Sequence, residues 1–342
     1  MKLILGGFMK KIIMLLVAML TAVFIWAAPA KYEIKLASIA PDGSTWMNIM
    51  NELNDEIQQK TNGEVKFKFY PGGVMGDEKD VIRKINIKQL QAGGFTSQGL
   101  GEVVPEVRLL NLPLLFQSYK DVDSVMIKMI PTFEKKFADK GFVVLGWPEV
   151  GYIYVFTKNK VETLSDLQKT KMWIWGDDVL VGTLFKNLKI VPIPLSITDV
   201  LQSLQTGLIE GVYCSSLSAI AMQWNTKVKY MLDLKIANVP GGVLVSKNMW
   251  DKIPLKYQII VKESSKKYFD KLTKMSRKEN EDALNVLKKQ GIVFTKIQKP
   301  EDEKYFEFVS EKTGNDLVGK YYTKAMLDEM LKYLADGRKV KQ

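Results

Sequence analysis

Apolar and polar residues alternate from Lys31 to Leu36, with Ile34 and Leu36 on one face, which predicts a strand. Ser44 can cap the helix that follows. Its Trp46, Met50, Leu53 and Ile57 fall on one stripe, and Gly63 stands where it should stop. Val65, Phe67 and Phe69 alternate with Lys66 and Lys68 as a second strand, closed by Pro71-Gly72-Gly73, and a helix carrying Val81, Ile82 and Ile85 comes next. Strand and helix in alternation predict an α/β lobe on a mostly parallel sheet.

The middle of the chain repeats the alternation. Phe142–Leu145 and Tyr152–Phe156 are short runs rich in β-formers, and Met172–Trp175, Ile209–Tyr213 and Gly242–Ser246 read as further strands. Asp166-Leu167 opens a small helix, Val179–Leu188 makes another, and Ser196 caps one that runs through Leu204 to Gly207. From Leu255 to about Gln290 no proline intervenes. A helix of that length would reach roughly 50 Å, more than one lobe is wide, so it should span two. The expected organisation is a first lobe over residues 31–153 and a second over 154–240. Residues 241–285 then return to the first lobe with the long helix, and 286–342 complete the second with C-terminal helices.

The N-terminus reads as a processing signal over residues 1–30. Lys10 and Lys11 precede an apolar run from Ile12 to Trp26, and Ala28-Pro29-Ala30 supplies the small residues of a cleavage site. The run is shorter than the ~20 residues that span a bilayer. Met9 would serve as a start as well as Met1. Cys214 is the only cysteine, so no lipid-modified cysteine follows the signal, and an exported protein without a lipid anchor is expected.

Composition narrows the chemistry. The 342 residues contain no histidine and one cysteine, which excludes a Ser-His-Asp triad, a Cys-His dyad, a histidine metal site and a CxxC redox pair. The formal charge of +11 comes from basic residues scattered among acids, as in Lys262-Glu263 and Lys278-Glu279. That pattern is a solvated surface rather than a nucleic-acid footprint.

Four segments in order, YPGGVMGDEKDVIRKI (Tyr70–Ile85), LLNLPLLF (Leu109–Phe116), DLQKTKMWIWGDD (Asp166–Asp178) and VPIPLSITDVLQSLQTGLIEG (Val191–Gly211), resemble landmarks of one family. It is the DctP family, the solute-binding proteins of tripartite ATP-independent periplasmic (TRAP) transporters, and the resemblance runs from about Tyr32 to about Leu334. It implies two α/β lobes around a cleft, a long helix bridging them, and a periplasmic monomer. Such a receptor closes on a small organic solute and hands it to the membrane permease subunits, without cofactor, metal or catalysis.

One departure bears on the solute. Members of that family usually carry an arginine, here replaced by Trp173, whose guanidinium grips a substrate carboxylate. An indole cannot form that forked ion pair. Arg83 and Arg108 fall in helix or loop contexts of the first lobe and do not read as substitutes. Trp173 and Trp175 share one face of their strand, beside Asp177 and Asp178, which favours an apolar, aromatic or partly cationic solute. Trp173 reads as cleft-lining ahead of core packing, and Trp175 as either. Further cleft candidates are Glu149 and Tyr152 where the chain changes lobe, Tyr213 and Ser215 after the Ile209 strand, Phe95 and Ser97 after Gly93-Gly94, and Ser38 and Trp46 around the first turn. Cys214 reads as a buried apolar residue, and Ser215-Ser216 equally as a helix cap. Other readings stay open: an organic-acid receptor with a different anion-binding group, a module presenting its ligand to a sensor, and a secreted hydrolase using Glu149, Asp177 or Asp178.

Overall fold

The computed structural model describes residues 30–339; the expected leader, up to residue 29, lies outside them. Ten strands form: β1 Tyr32–Ser38, β2 Val65–Tyr70, β3 Ala92–Thr96, β4 Phe142–Gly146, β5 Glu149–Thr157, β6 Trp173–Trp175, β7 Ile193–Leu195, β8 Gly211–Ser215, β9 Tyr230–Ser246 and β10 Val293–Thr295. The helices are α1 Thr45–Lys60, α2 Glu78–Asn86, α3 Ser97–Val103, α4 Tyr119–Asp139, α5 Leu164–Lys169, α6 Val179–Asn187, α7 Val200–Thr206, α8 Ser216–Ala221, α9 Lys247–Trp250, α10 Leu255–Lys289, α11 Pro300–Asp316 and α12 Lys324–Lys339, with a 3₁₀ turn at Pro105–Asn111.

The molecule has two α/β lobes. In the first, β1 lies parallel between β2 and β3, and Ile34, Leu36, Met50, Leu53 and Ile57 pack its β1–α1 face. Beyond β3 the expected parallel sheet becomes mixed. β9 runs antiparallel to β3, β4 and β5, and β5 runs antiparallel to β8. The reason is connectivity: β9 passes from one lobe to the other as one extended strand, with no helical crossover to reset its direction. Its Gly241–Val245 end pairs with β3, and Tyr230–Pro240 pairs with β5. The sequence predicts only the Gly242–Ser246 end of it as a strand.

The long helix α10 has 35 residues. Tyr257, Val261, Phe269 and Leu272 bury against the first-lobe core, and farther along Asn280 reaches the second lobe. There Asn280 Oδ1 accepts from Leu217 N at 3.0 Å, and its Nδ2 donates to Val150 O at 2.9 Å. The latter contact lies where β5 bulges between Glu149 and Gly151. Gly151 has φ +118°, and a Cβ there would sit 2.5 Å from Asn280 Nδ2, so no other residue suits this bend. α11 packs on α6 in the second lobe. The last helix, expected to complete that lobe too, instead lies along α4, where Arg338 pairs with Asp121 at 2.8 Å. Among the described residues no helix is long and apolar enough to cross a membrane.

Candidate functional site

A cavity of about 400 Å³ lies between the lobes. Short connections carry its first-lobe wall: Ser38 ends β1, Trp46 sits in the first turn of α1, and Phe95 and Ser97 lie where β3 runs into α3. The Trp46 ring fits because Gly241 is opposite, where a Cβ would stand 3.0 Å from it. The second-lobe wall is aromatic. Trp173 stacks on Tyr213 at 4.9 Å between ring centroids and on Trp175 at 6.0 Å, and meets Trp224 edge-on at 5.4 Å.

Trp173 is 1% exposed, its Nε1–H donates to Leu195 O at 3.0 Å, and it is among the residues that line the cavity. Trp175 lines the cavity too, and its Nε1–H crosses to the carboxylate of Asp77 in the first lobe. Ser215 lines the wall while its hydroxyl oxygen caps α8 by accepting from Ser218 N at 3.1 Å. Cys214, beside it, is buried, and burial pushes its thiol pKa up.

Three sequence-predicted residues lie elsewhere. Asp177 is exposed at the rim, paired with Lys79 across the lobes at 3.0 Å, which holds its carboxyl below the usual range. Glu149 is buried beneath the crossing point, where it accepts from Arg277 at 2.6 Å and Asn238 at 3.0 Å. Tyr152 packs on Tyr119, with centroids 5.1 Å apart, under the Lys235 ammonium. Tyr152 is outside the cavity wall because β5 alternates and Ile153 and Val155 face the cavity instead; Glu149 shares their parity, but the bulge between Glu149 and Gly151 resets it and puts Val150 on the wall.

Asp178 does line the cavity, but as a buried, fully engaged group. Its Oδ1 and Oδ2 accept from Arg108 Nη2 at 3.0 and 2.7 Å, while Oδ1 also caps α6 through Leu180 N at 2.9 Å and Val181 N at 3.1 Å. Arg108 thus corrects the sequence reading that set it aside. It is 4% exposed, lines the cleft from the 3₁₀ turn, and gives its other terminal nitrogen to Gln98. Burial works against its charge, but Asp178, with Tyr321 and Tyr213 nearby, more than offsets that and its pKa is raised. The signal was present in the sequence, since an arginine between Val107 and Leu109-Leu110 interrupts an apolar run.

Glu78, which sequence reasoning passed over, is the third charged group of the wall. Its carboxyl accepts from Thr96 N at 2.7 Å, Thr96 Oγ1 at 2.9 Å and Gly99 N at 2.7 Å. Burial nevertheless pushes its pKa up from 4.5 to about 7. Among the described residues no group of histidine, cysteine and carboxylate side chains is placed to hold a metal ion.

The family model for the bacterial extracellular solute-binding proteins, family 7 (DctP), matches residues 36–315. The chain belongs to this family. A curated relative, a solute-binding protein of Chromohalobacter salexigens, is 27% identical over 212 residues, covering 61% of this chain and 63% of that one. The alignments with this and two further curated relatives reach only 60% to 66% of their lengths. Two crystal structures of TRAP periplasmic solute-binding proteins share the fold. One, from Xanthobacter autotrophicus with bound β-D-galacturonate, has a TM-score of 0.81 at 20% identity and covers 88% of this chain and 99% of its own. The other, from Desulfovibrio salexigens with bound orotic acid, has 0.79 at 19%, covering 90% and 98%. Among the described residues, the one arginine that lines the cleft of this DctP chain, Arg108, is already paired with Asp178.

Proposed function

We propose that this protein is a periplasmic receptor of a TRAP transporter. It captures a small apolar or aromatic solute by closing its lobes and delivers it to the permease subunits, without catalysing a reaction. The observation that carries the solute class is the wall of Trp46, Phe95, Trp173, Trp175, Tyr213 and Trp224 around a cavity whose arginine already has its carboxylate. Aromatic faces reward a flat apolar body over a small polyanion. Burial between closing lobes supplies the affinity, so no activated nucleophile is called for.

A thermal-shift and tryptophan-fluorescence screen tests the reading, because a solute that binds only the folded receptor raises its melting temperature. Neutral aromatic compounds, benzyl alcohol and indole among them, are expected to raise it and to perturb the fluorescence of the wall. A response confined to dicarboxylates, and intact in Trp173→Ala, would overturn it.

A second reading has its own support. The two crystal structures above hold organic acids, and Arg108 is a cation in the cleft wall. If a solute carboxylate displaced Asp178 from Arg108, the protein would be an organic-acid receptor with a relocated anion grip. Succinate and galacturonate in the same screen separate the two.

A further inference from the structure

Arg108 and Asn111 stand three residues apart on the 3₁₀ turn, a spacing that stacks side chains on one face of such a turn. Both line the cleft, and both are 4% exposed. Each keeps one buried polar atom with no hydrogen-bond partner among the described residues: the Arg108 Nε–H, a donor, and the Asn111 Oδ1, an acceptor. Their remaining groups are engaged, Arg108 with Asp178 and Gln98, and Asn111 through Nδ2 to Asn238 O at 2.7 Å. Buried polar groups are nearly always satisfied, and leaving one unmade is costly. A donor and an acceptor left over in two residues of the cavity wall are what a solute that brings both would satisfy as the lobes close on it.

A carboxylate brings acceptors alone. It would also meet a wall whose charged groups are Glu78, Arg108 and Asp178, with Arg108 Nη2 already held by Asp178 and its other terminal nitrogen by Gln98. An amide or lactam brings a carbonyl oxygen and an N–H without charge, and suits the pair.

We infer that the 3₁₀ turn reads an uncharged donor–acceptor group, an amide or lactam, on an aromatic or apolar solute. Arg108 Nε–H donates to it, Asn111 Oδ1 accepts from it, and Asp178, by holding the adjacent Nη2, turns organic anions away. The inference rests on the apolar-solute reading of the cleft and names the polar end of that solute.

Phenylacetamide and phenylacetate are the matched probes, equal in ring and size and differing in the group the turn would read. By titration calorimetry the unaltered receptor is expected to bind the amide at least about tenfold more tightly than the acid, since a site built for a hydrogen-bonding group rejects an analogue that cannot make the bonds. Asn111→Leu should weaken the amide about tenfold, the loss of one such bond. Asp178→Ser keeps a hydroxyl to cap α6 but frees Nη2 beside the unpaired Nε, and should move the amide-to-acid ratio at least about tenfold towards phenylacetate. Because that variant leaves a buried guanidinium unpaired, its melting temperature is also read with and without sodium acetate. Acetate should raise it for Asp178→Ser and not for the unaltered protein, and Asp178→Asn provides the same readout if the serine variant is not recovered. Equal binding of the two probes by the unaltered receptor, an unmoved ratio with no acetate effect, or no binding of either probe to any form would each overturn the inference. The apolar-solute reading falls only if neutral aromatics without an amide fail as well.

Discussion

The indole Nε1–H of Trp175 reaches across the cleft to both carboxylate oxygens of Asp77, at 2.8 and 3.0 Å. Asp77 is at the same time the N-cap of α2, and it accepts the Ser196 hydroxyl at 2.8 Å. With Lys79–Asp177 and Arg108–Asp178, this bond ties the lobes together through groups of the protein alone. Trp175→Phe deletes the link and spares the cap. It is expected to enlarge the radius of gyration of solute-free protein in small-angle scattering, because a hydrogen bond to a charged group contributes about 1.5–3 kcal/mol. Asp77→Ala removes the cap as well and should lose about 1 kcal/mol more in urea unfolding. Identical scattering from Trp175→Phe and the unaltered protein would show that the indole does not hold the cleft shut.

Trp173 is enclosed by Tyr213, Trp175 and Trp224 and is 1% exposed. Truncation to alanine removes a ring that nothing nearby can replace, so Trp173→Ala should cost about 3–5 kcal/mol, read as a lower urea midpoint. Trp173→Phe keeps much of the stacking and should cost well under half of that. A nearly neutral alanine variant would mean that the wall collapses inward, and the solute would then have no aromatic platform.

What was legible along the chain was what is local. The β1–α1–β2–α2 succession and the 35-residue α10 carry their periodicity and caps within a few turns of each residue, and both form where the pattern places them. The first half of β9 was hidden because its short alternation over Leu232–Ile236 is broken by Asn238 and Pro240, and its partners are supplied by β5 and β10 from far along the chain. The polar heart of the cleft was hidden for the same reason. Arg108 and Asp178 are 70 residues apart, and no spacing rule says which carboxylate answers a buried guanidinium. Glu78 stands in the first turn of α2, where the helix dipole favours any acid, and only the packing of β3 and α3 over it makes it part of the wall.

Glu78 should write itself into the pH profile. Burial raises its folded pKa from 4.5 to about 7, against the opposing pull of Thr96 and Gly99. Between those two values the folded protein holds a proton that the unfolded chain has released. Stability from this group is therefore greatest below pH 4.5, falls as pH rises through about 7, and is level above. The full span is on the order of 3 kcal/mol. The difference in urea-unfolding free energy between the unaltered protein and Glu78→Gln, measured at pH 5 and pH 8, should carry that slope. Parallel profiles for the two proteins would remove Glu78 as the titrating group.

Arg277 of α10 fixes the crossing point between the lobes. Its Nη2 donates to Glu149 Oε2 at 2.6 Å and to Asp123 Oδ1 at 2.5 Å, and the guanidinium lies 4.4 Å from the Tyr119 ring centroid. Glu149 is 4% exposed, and burial already raises its pKa despite Arg277 and Asn238. Arg277→Met keeps the length and packing of the side chain but strands a buried carboxylate, which should cost about 3–5 kcal/mol at neutral pH. Protonation relieves a stranded carboxylate. With Arg277 gone the folded pKa of Glu149 rises further, so the deficit should be small near pH 5 and grow towards pH 8. Adding Glu149→Gln to Arg277→Met removes the charge and should restore much of the loss and flatten the pH dependence. A deficit equal at both pH values, or undiminished in the double variant, would mean that Arg277 acts through Asp123 and the Tyr119 ring rather than through the buried carboxylate at the hinge.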